Sequence, residues 1–259
     1  MTDATELGAD AEAAVRDLIL VLADTKRLLG YRYAEWMLGA PELETGIACS
    51  SMAQDEWGHA RLLYALMKGF DEDPEALEHA REPAEYRSME VLDASAGTWP
   101  EAVALMALAD VAVTTQFEAL RSSSYDPIRQ RVEKVVEEER FHAAHGAAWF
   151  QRLAEGTDAS RSALRDAVSD LLPPVLAWFG PDSERAGVLE EAGVAIETGS
   201  ALRSAFLERV SDRLARVGVE PEDPFFDGFD EARRRGPGGP DEETIRRIRG
   251  DRNRAFLMD

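Results

Sequence analysis

The sequence contains one short motif twice, as Glu56-Trp57-Gly58-His59 and as Glu139-Arg140-Phe141-His142. Each copy lies in a segment where apolar residues recur every three or four positions, which is the spacing of an amphipathic helix. A Glu and a His three positions apart lie on neighbouring parts of one helix face, so both side chains can bind the same ion. The two motifs therefore predict two helices that bring acid and imidazole groups to one polar centre.

Two further predicted helices carry a single charged residue in the middle of an otherwise apolar or small face. These residues are Lys26 in the first helix and Asp110 in the third. A buried charge without partners costs several kcal/mol, so the four polar positions are expected to meet. Glu56 follows Lys26 by 30 residues and Glu139 follows Asp110 by 29. The charged residues should thus lie at similar depth in two antiparallel hairpins.

The sequence as a whole predicts an all-α protein, because no alternating apolar run is closed by an Asn-Gly or Asp-Gly turn. Long helices are predicted at about residues 10–38, 41–70, 99–122 and 127–155. Further helices are predicted near residues 74–80, from 158 until Pro173 and Pro174 end or kink the helix, and at 183–192 and 199–217. These segments predict a ferritin-like four-helix bundle of two antiparallel hairpins with extra C-terminal helices.

The last part of the chain differs in composition and predicts a separate tail. Residues 218–240 combine clustered charges and glycines with Pro221, Pro224, Pro237 and Pro240, which favours an extended arm or loop, with a short helix up to residue 256. The predicted division is therefore a bundle with additional helices over residues 1–217 and an arm or tail over residues 218–259.

Composition and charge exclude several classes of partner. The chain has 50 Asp and Glu against 29 Lys and Arg, giving a net charge of −21, which repels nucleic acid and anionic membranes. The single cysteine, Cys49, cannot form an internal disulfide, and residues 1–14 have neither the basic start nor the apolar stretch of a signal peptide. No run approaches the roughly 18 apolar residues needed to cross a bilayer. We therefore expect a cytoplasmic protein without nucleic-acid or membrane partners.

The polar centre has nearly the ligand set of a dinuclear metal site. Carboxylates bridge hard metal ions and neutral imidazoles complete their coordination. Two Glu-x-x-His motifs plus one carboxylate from each remaining helix form the ligand set of ferritin-like di-iron and di-manganese proteins. The candidate ligands are Glu56, His59, Asp110, Glu139 and His142, and iron is the candidate cofactor. Lys26 stands where the fourth acid is expected.

Three hypotheses account for Lys26. A protonated amine has no lone pair, so the ammonium could replace a metal as counter-charge and give a buried ion-pair network with no redox chemistry. A mononuclear site could instead form from Glu139 and His142 with Asp110. Alternatively, the helix is rotated and the Lys26 side chain extends to solvent. Other residues on or next to the inner helix faces are interpreted as having no role in a metal site. Asp24 is expected to be solvated or salt-bridged, His145 to be a surface side chain, and Cys49 to be inert core packing.

Several longer segments are similar to a known family. They are Ala34-Glu35-Trp36, Ala40-Pro41-Glu42-Leu43-Glu44, Gln54-Asp55-Glu56-Trp57-Gly58-His59-Ala60-Arg61, Glu139-Arg140-Phe141-His142 and the stretch from Trp149 to Asp158. Over about residues 18–172 the chain resembles the phenylacetic acid catabolic protein family, and specifically its ferritin-like C subunits of phenylacetyl-CoA epoxidase. The resemblance implies a cytosolic multicomponent oxygenase, in which a catalytic A subunit holds a di-iron centre and converts phenylacetyl-CoA to its 1,2-epoxide.

The resemblance implies that this chain is a structural partner of such a catalytic protein and that it helps to form the acyl-CoA pocket. It would pair with the homologous catalytic subunit, with a second copy of itself, or with both. Catalytic activity of its own is doubtful because of Lys26. The alternative is a stand-alone di-metal oxygenase or oxidase that uses iron or manganese with Glu56, His59, Asp110, Glu139 and His142 as ligands. A stress or storage protein of ferritin type is a third hypothesis.

Overall fold

The computed structural model describes residues 7–195, 198–254 and 256. The described residues form the following α-helices. They are α1 Ala9–Glu35, α2 Leu43–Tyr64, α3 Pro74–His79, α4 Trp99–Ala119, α5 Asp126–Ala154, α6 Asp158–Trp178, α7 Glu184–Glu191, α8 Gly199–Val217, α9 Glu242–Arg249 and α10 Asp251–Arg254. Residues 1–6 and 196–197 of the predicted bundle domain, and residues 255 and 257–259 of the predicted tail, lie outside the described residues.

Four long helices form the bundle in two hairpins. The most extensive packing is between α1 and α2 and between α4 and α5, and further contacts of α1 with α4 and of α2 with α5 close the bundle. On the outer side of α4 lie α6 and α8. This architecture confirms the predicted all-α, ferritin-like bundle with additional C-terminal helices.

The most apolar helix, α4, is buried on nearly every face, because α5, α6 and α8 surround it. Its length and mean hydropathy would allow it to span a membrane, but 89% of its most apolar window is buried inside the bundle. The expectation that no segment is apolar enough was therefore wrong for this helix. Packing against three neighbours explains the composition, since a helix that is apolar all round is found in protein cores as well as in membranes. The helix is thus the central core helix of the described structure.

Several helix ends differ from the prediction. The second helix keeps α geometry only to Tyr64 and continues as a 3-10 helix over Ala65–Phe70, which ends at Asp71 in the left-handed region with φ 57°. The sixth helix passes through Pro173 and Pro174 and ends only at Trp178. The prediction was that these prolines end or kink the helix. Its first alternative was wrong, because burial of the residues after them, including Trp178, offsets the lost backbone hydrogen bonds.

The segment after α8 packs back onto the bundle through arginine side chains. Arg235 is 1% exposed and donates from Nη1 to Ser88 O at 2.9 Å and to Asp93 Oδ1 at 3.2 Å. From α1, Arg27 Nη2 donates to Ile248 O at 3.2 Å, and the side chain of Ile245 is fully buried. These contacts attach residues 235–248 to α1 and to the connection that precedes α4.

Candidate metal centre

The side chain of Lys26 lies in the interior of the bundle, among carboxylates from the other three helices. Its Nζ is 2.6 Å from Glu139 Oε1, 2.9 Å from Glu56 Oε2 and 3.9 Å from Asp110 Oδ1. The Lys26 residue has no exposed surface. The hypothesis that it extends to solvent is therefore wrong, and the ammonium is part of a buried ion-pair network.

The imidazole of His142 approaches the same three carboxylates. Its Nδ1 is 3.3 Å from Glu56 Oε1, 3.4 Å from Glu139 Oε2 and 3.6 Å from Asp110 Oδ2. One ligand atom from each of these four residues can be chosen so that all four lie within 4.8 Å of one another. Four of the five predicted ligands are thus close enough together to hold one ion.

The fifth predicted ligand, His59, lies on the side of the centre that Lys26 occupies. Its Nδ1 is 3.2 Å from Glu139 Oε1, which is the oxygen that accepts the hydrogen bond from Lys26, and 3.9 Å from Glu56 Oε2. The ammonium therefore binds the carboxylate oxygens that a metal next to His59 would need. His59 is not a member of the compact group of four.

Two carboxylates that the sequence analysis did not single out hold the outer edges of the imidazoles. His59 Nε2 is 2.7 Å from Glu138 Oε2, and His142 Nε2 is 3.3 Å from Asp55 Oδ2. Glu138 directly precedes Glu139 of the second motif and contacts His59 of the first, whereas Asp55 directly precedes Glu56 of the first motif and contacts His142 of the second. Each of the two helices thus holds the histidine of the other. Such outer partners fix the orientation of a ring and which nitrogen points inward. The signal in the sequence was an acid immediately before each Glu-x-x-His.

The groups of the centre shift one another's pKa values. Burial opposes the charged imidazolium of His59, but the carboxylates of Glu139 and Glu56 outweigh it and raise its pKa to about 9. The pKa of His142 is also raised, because the nearby carboxylates of Asp110, Glu139 and Glu56 outweigh the cost of burial. Burial likewise opposes the ionised form of Glu56, yet the Lys26 charge and the two histidines lower its pKa to about 2. The carboxyl group of Asp110 behaves in the opposite way, because burial and the neighbouring Glu139 charge raise its pKa.

The donor set fits one metal ion and does not fit two. His142 Nδ1 and Asp110 Oδ1 are buried without a hydrogen-bond partner among the described residues, and both are atoms with which iron or manganese can be bound. One divalent ion would be held by Glu56, Asp110, Glu139 and neutral His142, and its two positive charges would join that of Lys26 against the three carboxylates. A second divalent ion would compete with the Lys26 ammonium for the carboxylate oxygens near His59.

Other residues near the centre have structural partners. Tyr33, whose hydroxyl donates to Asp110 Oδ2 at 2.8 Å, lies on the predicted inner face of α1 but was not singled out. Asp24 is fully buried and accepts a hydrogen bond from Arg81 Nη1 at 2.9 Å. Its predicted salt bridge therefore lies in the protein interior. Burial raises the pKa of the Cys49 thiol to about 11, in agreement with inert packing. His145 is half-buried on α5.

Comparison with known proteins adds family membership to this geometry. The model of the phenylacetic acid catabolic protein family matches residues 1–235. The chain belongs to this family. Members of the phenylacetic acid catabolic family are ferritin-like oxygenase components of di-iron type, and this chain retains a buried acid and histidine group that could hold metal. The match extends beyond the four bundle helices, through α8 and up to Arg235.

Two curated relatives belong to one enzyme from Escherichia coli K12, 1,2-phenylacetyl-CoA epoxidase. The chain is 28% identical over 213 residues to the C subunit of that enzyme, and the match covers 81% of this chain and 85% of the relative. It is 24% identical over 192 residues to the A subunit, and this match covers 73% of this chain and 62% of the relative. The resemblance seen in the sequence is thereby confirmed.

Proposed function

We propose that this chain is a structural subunit of a cytoplasmic, phenylacetyl-CoA epoxidase-type oxygenase and that it pairs with a homologous catalytic subunit. The observation that carries the proposal is the position of Lys26 Nζ, 2.6 Å from Glu139 Oε1 and 2.9 Å from Glu56 Oε2. The ammonium supplies the counter-charge that a second metal would bring, so the bundle is stable without a dinuclear centre. The similarity to the epoxidase C subunit supports the same role.

An exposed apolar surface at the turn between α1 and α2 supports pairing. We call it the hairpin patch and define it by Met37, Leu38, Leu43 and Ile47, which are 49%, 91%, 76% and 58% exposed. Leu43 and Ile47 lie one helical turn apart on α2, so they form one continuous surface. Clustered apolar side chains on an acidic surface are typical of a protein interface. The hairpin patch is the proposed contact with the catalytic subunit.

Co-expression with the same organism's homologue of the epoxidase A subunit tests the proposal. We expect a stable complex in size-exclusion chromatography, and turnover of phenylacetyl-CoA by the complex with its reductase but not by this chain alone.

The double variant Leu43→Ser, Ile47→Ser should weaken the complex, because the polar side chains remove apolar area from the interface. Phe225→Ser is the matched control, since Phe225 is 82% exposed and lies outside the hairpin patch. Turnover by the isolated chain would contradict the proposal.

A second candidate function is a stand-alone metal-dependent oxygenase or oxidase. It is favoured by the group Glu56, Asp110, Glu139 and His142, whose ligand atoms lie within 4.8 Å of one another. An iron or manganese ion held there would supply a redox-active centre. The dinuclear form of this function, with His59 as a further ligand, is opposed by the Lys26 ammonium.

Metal analysis of the purified chain separates the two candidates. If Lys26 takes the place of an ion, the wild type should contain little iron, and Lys26→Glu should gain iron because it supplies the fourth carboxylate. Lys68→Glu is the matched control, because it makes the same charge change at an exposed position. One iron ion or more per wild-type chain would refute the structural role and favour the stand-alone enzyme.

A further inference from the structure

A cavity of about 260 Å³ lies between the end of α6 and the segment that follows α8. None of the candidate metal ligands lines it, and neither does any residue of the hairpin patch. The volume is just below the roughly 300–1,000 Å³ that is typical of small-molecule sites. The cavity is therefore a separate feature of the fold, with space for a small ligand only.

Arg234 brings a positive charge to this cavity without an acidic partner. The residue as a whole is half-buried, but its guanidinium reaches inward to α4, where Nη1 donates to Oε1 of the fully buried Gln116 at 2.6 Å. Its Cζ also lies 5.9 Å from the centroid of the Trp178 ring. Burial and the nearby Arg185 charge lower the pKa of the Arg234 guanidinium to about 10, so it stays charged at neutral pH. The chain has a net charge of −21, yet no carboxylate among the described residues pairs with Arg234, so its anion is expected from outside the chain.

The two residues that contact the Arg234 guanidinium each carry a buried hydrogen-bond donor without a partner among the described residues. These donors are Nε2 of Gln116 and Nε1 of Trp178, and both residues are fully buried. Buried amide and indole N–H groups normally find an acceptor, since an unpaired one loses the hydrogen bond that water would supply. The unpaired groups next to Arg234 are donors, as is the guanidinium itself, so the missing partner is an acceptor.

Much of the remaining lining of the cavity is apolar. Beside the Trp178 ring it includes Pro174, Ala177, Phe225, Phe229 and Pro237. Phe225 is 82% exposed, so burial of its ring against a ligand would remove apolar surface from water. These side chains suit a ligand with an apolar body, whereas a bare inorganic ion would make no use of them.

The other charged lining residues limit the charge of the ligand. Arg235 has no charge to spare, because Nη2 donates to Asp93 Oδ2 at 2.5 Å. Glu90 Oε1 accepts a hydrogen bond from Gly236 N at 2.5 Å, and Asp227 is exposed. The carboxylates of Glu90 and Asp227 would repel a ligand with two negative charges more strongly than a monoanion. One unpaired guanidinium is therefore matched by a single negative charge.

We propose that this cavity binds a small organic monocarboxylate, with the carboxylate at Arg234 and an apolar body against Trp178 and Phe225. A carboxylate only accepts hydrogen bonds, and its two oxygens match the fork of a guanidinium. The inference goes beyond the proposed subunit role and does not depend on it, because binding is measured with this chain alone.

Isothermal titration of the full-length chain with benzoate and hexanoate tests the inference, with benzamide and hexanamide as uncharged probes of similar shape. We expect saturable binding of at least one acid, and binding of its amide that is about tenfold weaker, because the amide makes no charge-assisted hydrogen bond to the guanidinium. The tighter of the two acids shows whether the site prefers an aromatic or an aliphatic body. No saturable binding of either acid at millimolar concentration, or equal affinities for acid and amide, would overturn the inference.

Arg234→Gln should lower the affinity for the bound acid about tenfold and leave the affinity for its amide unchanged, because only the acid uses the positive charge. Arg234→Lys keeps the charge and should retain more of the affinity for the acid than Arg234→Gln does. Arg121→Gln is the matched control, since Arg121 is exposed and lies outside the cavity. Far-UV circular dichroism checks that each variant is folded. Equal affinities of Arg234→Gln and Arg121→Gln for the acid would contradict the proposal.

Phe225→Ser tests the apolar part of the site at a position where the fold should tolerate the change, because the side chain is 82% exposed. We expect it to lower the affinity for the acid several-fold, since the ligand body loses an apolar contact. Phe256→Ser is the matched control, because Phe256 is 80% exposed and lies outside the cavity. If both serine variants bind the acid as tightly as the wild type, the ligand lies elsewhere and the inference fails.

Discussion

At the scale of single residues, the burial of Lys26 determines what the centre can do. Its ammonium has exchanged all of its water for carboxylate oxygens of Glu56 and Glu139. Each partner depends on the others, because a charge left alone in a protein interior is far less stable than one in water. The network is therefore sensitive to the loss of any member, whatever its contribution to net stability.

Lys26→Met removes the charge while keeping an unbranched side chain. We expect it to lower the free energy of unfolding by about 3–5 kcal/mol, because the carboxylates remain buried without the ammonium. Urea denaturation followed by circular dichroism measures the change. The control Lys68→Met, at an exposed position, should differ from wild type by about 0.5 kcal/mol or less. Equal effects of the two substitutions would show that Lys26 is not held by the network.

Helical periodicity was sufficient to predict the meeting of Lys26, Glu56, Asp110 and Glu139, because each is the one charged residue on an apolar face. It could not predict the contacts of Asp55 and Glu138. Both residues lie next to the inner face, and their oxygens reach a histidine only because α2 and α5 are packed at one particular register. That register is a tertiary property. The role of the five predicted residues as metal ligands stays a prediction.

At the scale of elements, the α1–α2 hairpin shows how two glycines in similar helical surroundings differ. Gly30 faces the Trp57 ring, and a Cβ there would also lie 3.0 Å from Ala53 O. Gly58 has no atom within 4 Å of the Cβ position. The first glycine is required for close packing of the hairpin, whereas the second only weakens its helix.

Gly30→Ala and Gly58→Ala should therefore have opposite effects on stability. We expect Gly30→Ala to lower the free energy of unfolding by about 1–3 kcal/mol through overpacking. Gly58→Ala should raise it by about 0.5–1 kcal/mol through better helix propensity. Thermal and urea unfolding of both variants measure these changes. Stabilisation by Gly30→Ala would mean that α1 and α2 are farther apart than described.

The periodicity of apolar residues was sufficient to predict where helices occur, but it did not predict the residues at which they end. The sequence around Pro173 and Pro174 contains a strong local stop signal, and the burial of Val175, Leu176 and Trp178 overrides it. Similarly, nothing local distinguishes the α geometry before Ala65 from the 3-10 geometry after it. Both outcomes depend on what the segment packs against, which a single sequence does not reveal.

At the scale of the whole molecule, the chain after α8 is fastened to the bundle by arginines. Arg235 binds Asp93 and the Ser88 carbonyl, and Arg249 donates from Nη1 to Arg81 O at 3.1 Å. Composition indicated an arm, because charges, prolines and glycines are common in extended segments. The docking depends on guanidinium groups that reach main-chain carbonyls distant in sequence, so it could not be foreseen from local composition.

Asp93→Ala tests how strongly this fastening contributes to stability. We expect a loss of about 3 kcal/mol, because Arg235 remains buried without its carboxylate. Chemical denaturation measures the loss, and limited proteolysis should cleave residues 218–240 faster in the variant. Glu243→Ala is the matched control, because its partners Arg246 and Arg247 are exposed and such surface pairs contribute about 1 kcal/mol or less. Equal proteolysis of Asp93→Ala and wild type would contradict the expected role.

The buried Lys26 ammonium also bears on how the centre can change by mutation. The codons for lysine and glutamate differ only in their first base. The step between a centre closed by Lys26 and one with a fourth carboxylate is therefore the smallest change that a gene can make. A lineage that carries this fold can therefore exchange Lys26 for a fourth carboxylate by a single point mutation, while Asp55, Glu138 and the two histidines stay in place.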